Sequence, residues 1–216
     1  VSIETISLPD SVTQIGDNAF YGASKLKTIE KWDKITTIGT SAFKNCILIE
    51  TIHLSSTVTT IKSNAFEGCV KLSDLQLGSV VSIGSNAFFN CQSLTVIDIP
   101  GTVTSIESKA FAVGTTIKNV TYKGIKEPIP CQDDAFEGTN AEYVDVPIEY
   151  SSSDFCKLIP RIIQTCSEDN DPEKCRWSYI HSTKVLTIEG NGNMKTYTKG
   201  TSPWYPKASL IGSINI

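Results

Sequence analysis

Six copies of a short box built around Ala-Phe recur along the first two thirds of the chain. The boxes span residues 15–20, 38–43, 61–66, 83–88, 106–111 and, in a divergent form, 131–136. Their phenylalanines are separated by 23, 23, 22, 23 and 25 residues. A regular period of this length indicates one supersecondary unit per repeat. Because a unit this small cannot bury both of its apolar edges, stacking of neighbouring units must supply the core, which predicts a solenoid.

A second periodic element lies between the boxes. It consists of six-residue blocks with apolar residues at positions one, four and six, and the first block has Ile3, Ile6 and Leu8 at these positions. The step from position four to position six is the period-2 alternation of a strand with one buried face. Each block therefore predicts a short strand, and stacked repeats would join these strands into a parallel sheet.

The boxes themselves predict a short helical turn in each repeat. Ala19, Phe20 and Ala23 recur at the spacing of one helical face, and the capping candidates Asp17 and Asn18 come just before them. The predicted fold class is α/β. It is a solenoid with a curved parallel β-sheet on its concave face and short helical turns on its convex face.

The two periodic elements together resemble the leucine-rich repeats of the BspA-like type, whose pattern is close to LxxLxLPxxLxxIGxxAFxxC. The resemblance covers about residues 1–147. Repeat two departs from the pattern with Lys31-Trp32 where Leu-Pro is usual, and repeat six carries an insertion at 124–130. The resemblance implies a cell-surface protein of protists or bacteria that adheres to host proteins, matrix proteins or other cells.

The sequence predicts three segments. Residues 1–147 are a leucine-rich-repeat solenoid of about six repeats. Residues 148–174 combine a partly helical segment with an acidic linker at 167–174, and the resemblance implies that they cap the last repeat. Residues 175–216 read as a β-hairpin followed by the first strand of a second array, because Ile211, Ile214 and Ile216 again occupy positions one, four and six. We therefore expect a piece of a longer, multi-array protein.

Positions three and five of each strand block point outward and form two polar columns along the predicted concave face. An extended sheet of this kind is the surface that solenoids offer to partners. The residues that we expect to contact a protein partner are Glu30, His53, Asp74, Gln76, Asp98, Tyr143 and Asp145. A cation among Asp74, Gln76 and Asp98 is conceivable. Spaced carboxylates on a solvated face do not indicate one, so no metal site is predicted.

The cysteines form two groups. Three lie at one repeat position, three residues after the box phenylalanine, and predict a ladder of buried thiols: Cys46, Cys69 and Cys91. Cys131 occupies the Ile position of its box and is predicted to be a further core thiol. Cys156, Cys166 and Cys175 lie outside the repeats, where a secreted protein would place disulfides. Their pairing stays open, and a zinc site is the alternative, although no CxxC pair or neighbouring His supports it.

Several kinds of chemistry find no support in the sequence. His53 lies on an outward strand position and His181 in a presumed turn, and neither has a catalytic motif around it. The segment 190–192 has two glycines but lacks the features of a phosphate-binding loop. No catalytic residue and no cofactor are therefore predicted. Asn119-Val120-Thr121 is an N-glycosylation acceptor on an outward strand position.

The formal net charge of −4 disfavours a partner held by diffuse positive charge, such as a nucleic acid or a membrane surface. No apolar run approaches the length of a membrane span. The first functional hypothesis is a non-enzymatic, extracellular protein-binding module that acts as a cell-surface adhesin through its concave face. The alternative is a structural spacer of a surface coat that displays other domains and associates with itself through exposed repeat edges.

Overall fold

A computed structural model of the chain describes residues 3–114, 116–147, 149–152, 154–165, 176–180, 183–189 and 213–215. These residues form short β-strands connected by turns. In chain order the strands are β1 Thr5–Ser7, β2 Gln14–Ile15, β3 Thr28–Glu30, β4 Thr37–Ile38, β5 Thr51–His53, β6 Thr60–Ile61, β7 Asp74–Gln76, β8 Ser82–Ile83, β9 Val96–Ile99, β10 Ser105–Ile106, β11 Asn119–Tyr122, β12 Tyr143–Val146, β13 Ile159–Thr165, β14 Arg176–Ile180, β15 Val185–Glu189 and β16 Ser213–Asn215.

Each of the first five repeats contributes two strands, and each strand pairs in parallel with its counterpart in another repeat. The two-residue strands form one sheet in the order β10-β8-β6-β4-β2. The longer strands form the pairs β1-β3 and β5-β7 and a seven-stranded sheet in the order β16-β15-β14-β13-β12-β11-β9. Equivalent repeat positions pair directly, as Ile38 does with Ile61. The predicted solenoid with parallel sheets is confirmed.

The core is a set of columns in which the same residue type stacks on itself from coil to coil. The box phenylalanines form the longest column, with neighbouring ring centroids 5.2–5.3 Å apart and ring planes within 13° of parallel. Its members are Phe20, Phe43, Phe66, Phe88, Phe111 and Phe136. Their spacing is close to the separation of hydrogen-bonded strands, so the stacking distance of the coils sets the packing distance in the core, whether a repeat has 22, 23 or 25 residues.

The predicted helical turn of each box is wrong, because the boxes form a run of tight turns and the described residues contain no helix. The residues two before and two after a box phenylalanine have positive φ, between 56° and 72°, with the exception of Asp134 in the last box. They are Asn18, Gly22, Ser41, Asn45, Asn64, Gly68, Asn86, Asn90, Lys109, Val113 and Gly138. A right-handed helix cannot contain such residues.

The backbone hydrogen bonds explain why the turns replace a helix. The amide of Phe20 donates to the carbonyl of Ala42 in the next coil at 2.8 Å. The following amide, of Tyr21, donates back to Asn18 at 3.1 Å. Alternate amides thus bond between coils and within a coil, whereas a helix would use every amide within its own segment. The apolar spacing of the box is compatible with both arrangements, which is why the pattern alone misled.

Repeat two accommodates its departure from the repeat pattern. Trp32 is buried and packs edge-on against Phe43, with ring centroids 6.0 Å apart. Lys31 turns the chain with a φ of 64°. The strands on either side, β3 and β5, belong to different hydrogen-bonded groups. The bulky indole therefore fills the core at a step in the ladder of longer strands.

The sheet continues beyond residue 147. β13 adds to β12 in parallel, β14 and β15 follow as an antiparallel pair, and β16 pairs in parallel with β15. The partly helical segment predicted before β13 is wrong, since Phe155 and Leu158 form an antiparallel bridge there. The two strands expected in the predicted hairpin are β14 and β15. The predicted linker at 167–174 lies outside the described residues, and the division into array, cap and hairpin stays a prediction.

Candidate binding face

The outward positions of the longer strands form one exposed surface, which we call the strand face. Strand register aligns its residues within each group of paired strands, as for Thr51 with Asp74 and His53 with Gln76. The position-three column contains Thr5, Thr28, Thr51, Asp74, Val96, Asn119 and Tyr143, and the position-five column contains Ser7, Glu30, His53, Gln76, Asp98, Thr121 and Asp145. The predicted columns are therefore present.

The strand face places most predicted contact residues in solvent. Glu30, His53, Asp74, Gln76 and Asp98 are exposed, and Tyr143 and Asp145 are half-buried. The position between each outward pair points into the core, and the three central examples, Ile52, Leu75 and Ile97, are at most 7% exposed. Outward side chains can therefore be replaced without opening the core, because the alternation of the strand separates the two sets.

His53 and Asp74 are brought together across β5 and β7. The imidazole Nε2 lies 2.7 Å from Oδ2 of Asp74, and both side chains are about half exposed, at 49% and 51%. A protonated imidazole makes this contact an ion pair, whereas a neutral ring with a proton on Nε2 donates a hydrogen bond. Either way the pair holds one column against the other in the middle of the strand face.

Gln76 and Asp98 line a cleft of about 320 Å³ between β7 and β9. Leu75, Leu77 and Pro100 form apolar parts of its wall, and Lys123 lies at its border. β7 and β9 are not hydrogen-bonded to each other. The turn after β7 is one residue shorter than in its neighbours, which accounts for the single 22-residue spacing. The structure therefore groups two of the predicted contact residues at a step in the sheet.

The end of the strand face carries a cluster that the sequence did not indicate. Nε of Arg161, on β13, lies 2.9 Å from Oδ1 of Asp145, and both side chains are 30% exposed. The same guanidinium lies 4.9 Å from the centroid of the Tyr143 ring. Arg161 was missed because its segment was assigned to a partly helical cap. Recognising residues 159–163, which include three isoleucines, as another strand would have placed it beside Asp145.

The predicted ladder of buried thiols is confirmed. Cys46, Cys69 and Cys91 are buried and unpaired. Each thiol donates to a backbone carbonyl of the preceding coil, at 3.2–3.4 Å. Burial raises the pKa of Cys46 to about 11, that of Cys91 to about 12 and that of Cys69 well above its usual value. These thiols are therefore protonated at neutral pH and are part of the core.

The structure corrects the prediction for Cys131 and confirms that Cys156 forms a disulfide. Cys131 forms a disulfide with Cys156, with Cα atoms 5.1 Å apart, and is not a core thiol. Cys131 belongs to the last box of the array, so no further box covers it, and the segment around Phe155 packs there instead. Cys156 therefore pairs with the array rather than with either of the other two candidates. Cys166 and Cys175 lie outside the described residues.

Other predicted features give the following picture. In the part of the chain that the structure describes, no group of three His, Cys, Asp or Glu side chains is arranged to hold a metal ion. Asn119 is exposed at the start of β11. His181 and the segment 190–192 lie outside the described residues. A helix long and apolar enough to cross a membrane is not found among the described residues.

Comparison with known families gives one family match. The family model described as a BspA type leucine-rich repeat region matches the chain in six copies, over residues 1–118 and 37–156. These ranges overlap and together include every box. No curated protein matches the chain.

Two solved structures are similar to this one. A leucine-rich repeat protein of T. pallidum is 27% identical with a TM-score of 0.58, over 65% of this chain and 68% of that chain. A leucine-rich repeat protein from Bacteroides ovatus is 21% identical with a TM-score of 0.53, over 68% of this chain and 52% of that chain. The second likeness concerns the fold alone, and both agree with a stack of parallel repeats.

Proposed function

The chain belongs to the BspA-type leucine-rich repeat family, and we propose that it is a non-enzymatic binding module of the cell surface. Its partner would be a protein of a host, of the extracellular matrix or of another cell, held on the strand face. The predicted extracellular localisation is part of the proposal. The Cys131–Cys156 disulfide supports it, because disulfides persist in oxidising compartments.

The observation that carries the proposal is the exposed polar columns of the strand face. Five of the seven predicted contact residues are exposed, whereas the apolar residues beside them on the strands are buried or, in the case of Ile29, half-buried. Functional side chains placed on regular strands are held more rigidly than those on loops. A partner that contacts several coils at once therefore meets a preformed surface, and little ordering is needed on this side of the interface.

The charges of the strand face suggest where specificity resides. Glu30 and Asp98 have no ion-pair partner among the described residues, whereas Asp145 is paired with Arg161. An unpaired carboxylate keeps its capacity to attract a basic group on a partner, while the Asp145–Arg161 pair offers a neutral, rigid contact beside Tyr143. We propose that the middle of the face provides electrostatic selection and the end provides packing.

The first test replaces Asp74, Gln76 and Asp98 together by Ala. These exposed residues lie in the middle of the strand face, so saturable binding to immobilised matrix proteins or epithelial cells should be lost at physiological salt. The thermal midpoint should stay close to that of the wild type, because no buried atom is removed. A matched control replaces Asp10, Asp33 and Gln14 by Ala. It deletes the same chemical groups from exposed positions outside the strand face and should leave binding intact.

Two results would contradict the proposal. Retained binding in the Asp74/Gln76/Asp98 variant would place the contact elsewhere on the molecule. Absence of saturable binding in every variant, including the wild type, would favour the alternative of a structural spacer. The control triple keeps the two results distinct, since it reports whether loss of two carboxylates and one amide matters at any exposed position.

A further inference from the structure

The insertion at residues 124–130 displays apolar side chains to solvent. Ile129 is 87% exposed, which is the largest value among the exposed large apolar residues that the structure describes, and Ile125 is 54% exposed. The insertion interrupts the repeat pattern between β11 and the last box. The apolar surface is therefore not a consequence of the repeat itself.

The backbone of the insertion is fixed on both sides. The amide of Ile129 donates to the carbonyl of Thr104 at 2.8 Å, which adds it to the edge of the sheet of two-residue strands. The Tyr122 hydroxyl donates to the carbonyl of Lys126 at 2.8 Å. On the other side, Ser151 donates its amide to the carbonyl of Ile125 at 3.0 Å. Because these hydrogen bonds fix the backbone of the insertion, the Ile129 side chain cannot be buried by a simple movement of the loop onto the array.

A cavity of about 380 Å³ lies directly beside Ile129. Its apolar lining comes from Val103, Tyr122, Ile125, Pro128 and Ile129 itself. Two charged residues, Lys126 and Glu127, also line it. The Glu127 carboxylate accepts the amide of Cys156 at 3.0 Å. An aliphatic side chain from outside would find apolar walls in this cavity.

Ile129 also ends an outward column that carries no charge. The column runs along the sheet of two-residue strands, each amide donating to the carbonyl of the preceding member at 2.8–2.9 Å. Its members are Thr13, Thr36, Thr59, Val81, Thr104 and Ile129. The neighbouring positions are also uncharged, exposed at the first of them and half-buried at the others: Gln14, Thr37, Thr60, Ser82 and Ser105. The strand face, in contrast, carries four carboxylates and a histidine.

We propose that two copies of the chain associate through the face formed by these uncharged columns and the cavity, with Ile129 of each copy inserted into the cavity of the other. Ile129, which we call the knob, and the cavity lie side by side on one face. A single two-fold axis can therefore place each knob in the cavity of the other copy, as an isologous contact requires. Each copy has a net charge of −4. The columns oppose no charged side chains in such a contact, and the charged residues at the cavity, Lys126 and Glu127, have opposite signs. The contact is independent of the strand face and leaves it free for a different partner.

The size of the face determines the strength of the contact. Six members at the spacing of parallel strands give a column about 24 Å long. This footprint belongs to the low end of protein interfaces, so the dimer should be weak and dependent on concentration. On a crowded surface, where several copies are held together, a weak contact of this kind is reinforced by high effective concentration.

Sedimentation velocity of the full chain over a concentration series tests the proposal. The weight-average mass of the wild type should rise towards that of a dimer. Ile129→Ser should stay monomeric at every concentration and keep its thermal midpoint, because the side chain packs in no core. The matched control is Ile47→Ser, which removes an exposed isoleucine from the turn after the second box and should associate like the wild type.

A second variant tests whether the cavity receives Ile129 of the other copy. Thr104 is an exposed residue of the lining, and Thr104→Arg should fill the cavity and abolish association. An equimolar mixture of Ile129→Ser and Thr104→Arg should regain part of it, since one intact knob meets one intact cavity. Association that survives Ile129→Ser would overturn the proposal, as would no rescue in the mixture. A wild type that stays monomeric would also overturn it and would assign the knob to a foreign partner.

Discussion

The central coils and the C-terminal end of the array are held together in different ways. From Phe43 to Phe111 each coil repeats the contacts of its neighbour, and the column of rings, the column of thiols and the sheet of two-residue strands run through without a covalent link. Around Tyr122 and Phe155, by contrast, the contacts are individual. A disulfide, two tilted pairs of rings that share Phe155 and an inserted loop lie there, and the described central coils repeat none of them.

The difference shows what a repeat can supply and what it cannot. A central coil has a neighbour on each side, so the same residue type buries itself against its own copies. The last box has no further box stacked on it in the described part of the chain, and Phe155 packs against Phe136 there with ring centroids 6.2 Å apart. Stability in the middle therefore follows from periodicity, whereas stability at the end depends on unique contacts.

The largest expected loss of stability comes from a substitution in the middle of the column of box phenylalanines. Phe66→Ala removes a fully buried ring with stacked neighbours on both sides and should lower the free energy of unfolding by about 4 kcal/mol. Phe20→Ala is the matched control, because its ring is only partly buried and has one stacked neighbour. In chemical denaturation, Phe20→Ala should lower the free energy of unfolding clearly less than Phe66→Ala does. Equal losses would show that the middle and the edge of the column are equivalent.

The second largest expected loss of stability comes from removal of the disulfide at the C-terminal end of the array. Replacing Cys131 by Ala removes a cross-link that closes a loop of about 25 residues, which should cost about 3 kcal/mol. In hydrogen exchange, the loss of protection should be greatest from the last box to β13, and the amides of the central boxes should keep theirs. Cys69→Ala is the control for loss of a thiol, and its effect should appear in the central coils. A uniform loss in both variants would mean that the two regions unfold as one unit.

Much of this contrast could be predicted from the sequence. The period placed Phe43, Cys69 and Ile97 in the core and Asp74 and Gln76 on the outside, because parallel stacking repeats each position along a column. The conformation of the boxes was not accessible in this way, since apolar spacing does not report the sign of φ. The positive φ of Asn18 and Asn64 was compatible with their type, because asparagine tolerates that region better than most residues.

The end of the array was harder to predict for a physical reason. Cys131 pairs with Cys156 and Arg161 pairs with Asp145 through contacts that occur once, so no periodicity marks them. The cleft at Gln76 and Asp98 depends on a turn that is one residue shorter than its neighbours. Its effect on the sheet appears only when the coils are stacked. The contacts of the central coils can be predicted because they repeat in the sequence, whereas the contacts at the end of the array leave no such pattern.

The smallest expected difference in stability tests whether the boxes form turns or helices. Ser41 has a φ of 56°, so Ser41→Gly should be tolerated while Ser41→Ala should be less stable than the glycine variant by about 1 kcal/mol. A helical box would reverse this order, because alanine is favoured over glycine inside helices. Urea denaturation of the two variants decides between the two conformations, and a more stable alanine variant would restore the helical prediction.

Hydroxyl-radical footprinting of the chain, alone and with the partner identified by the binding assay, tests the role of the strand face most directly. His53 and Tyr143 report on that face, and Tyr21, which directly follows the first box and is 54% exposed, reports on a surface away from it. We expect His53 and Tyr143 to be oxidised more slowly in the complex while Tyr21 reacts at an unchanged rate. Protection of Tyr21 with unchanged oxidation of His53 and Tyr143 would contradict a binding site on the strand face.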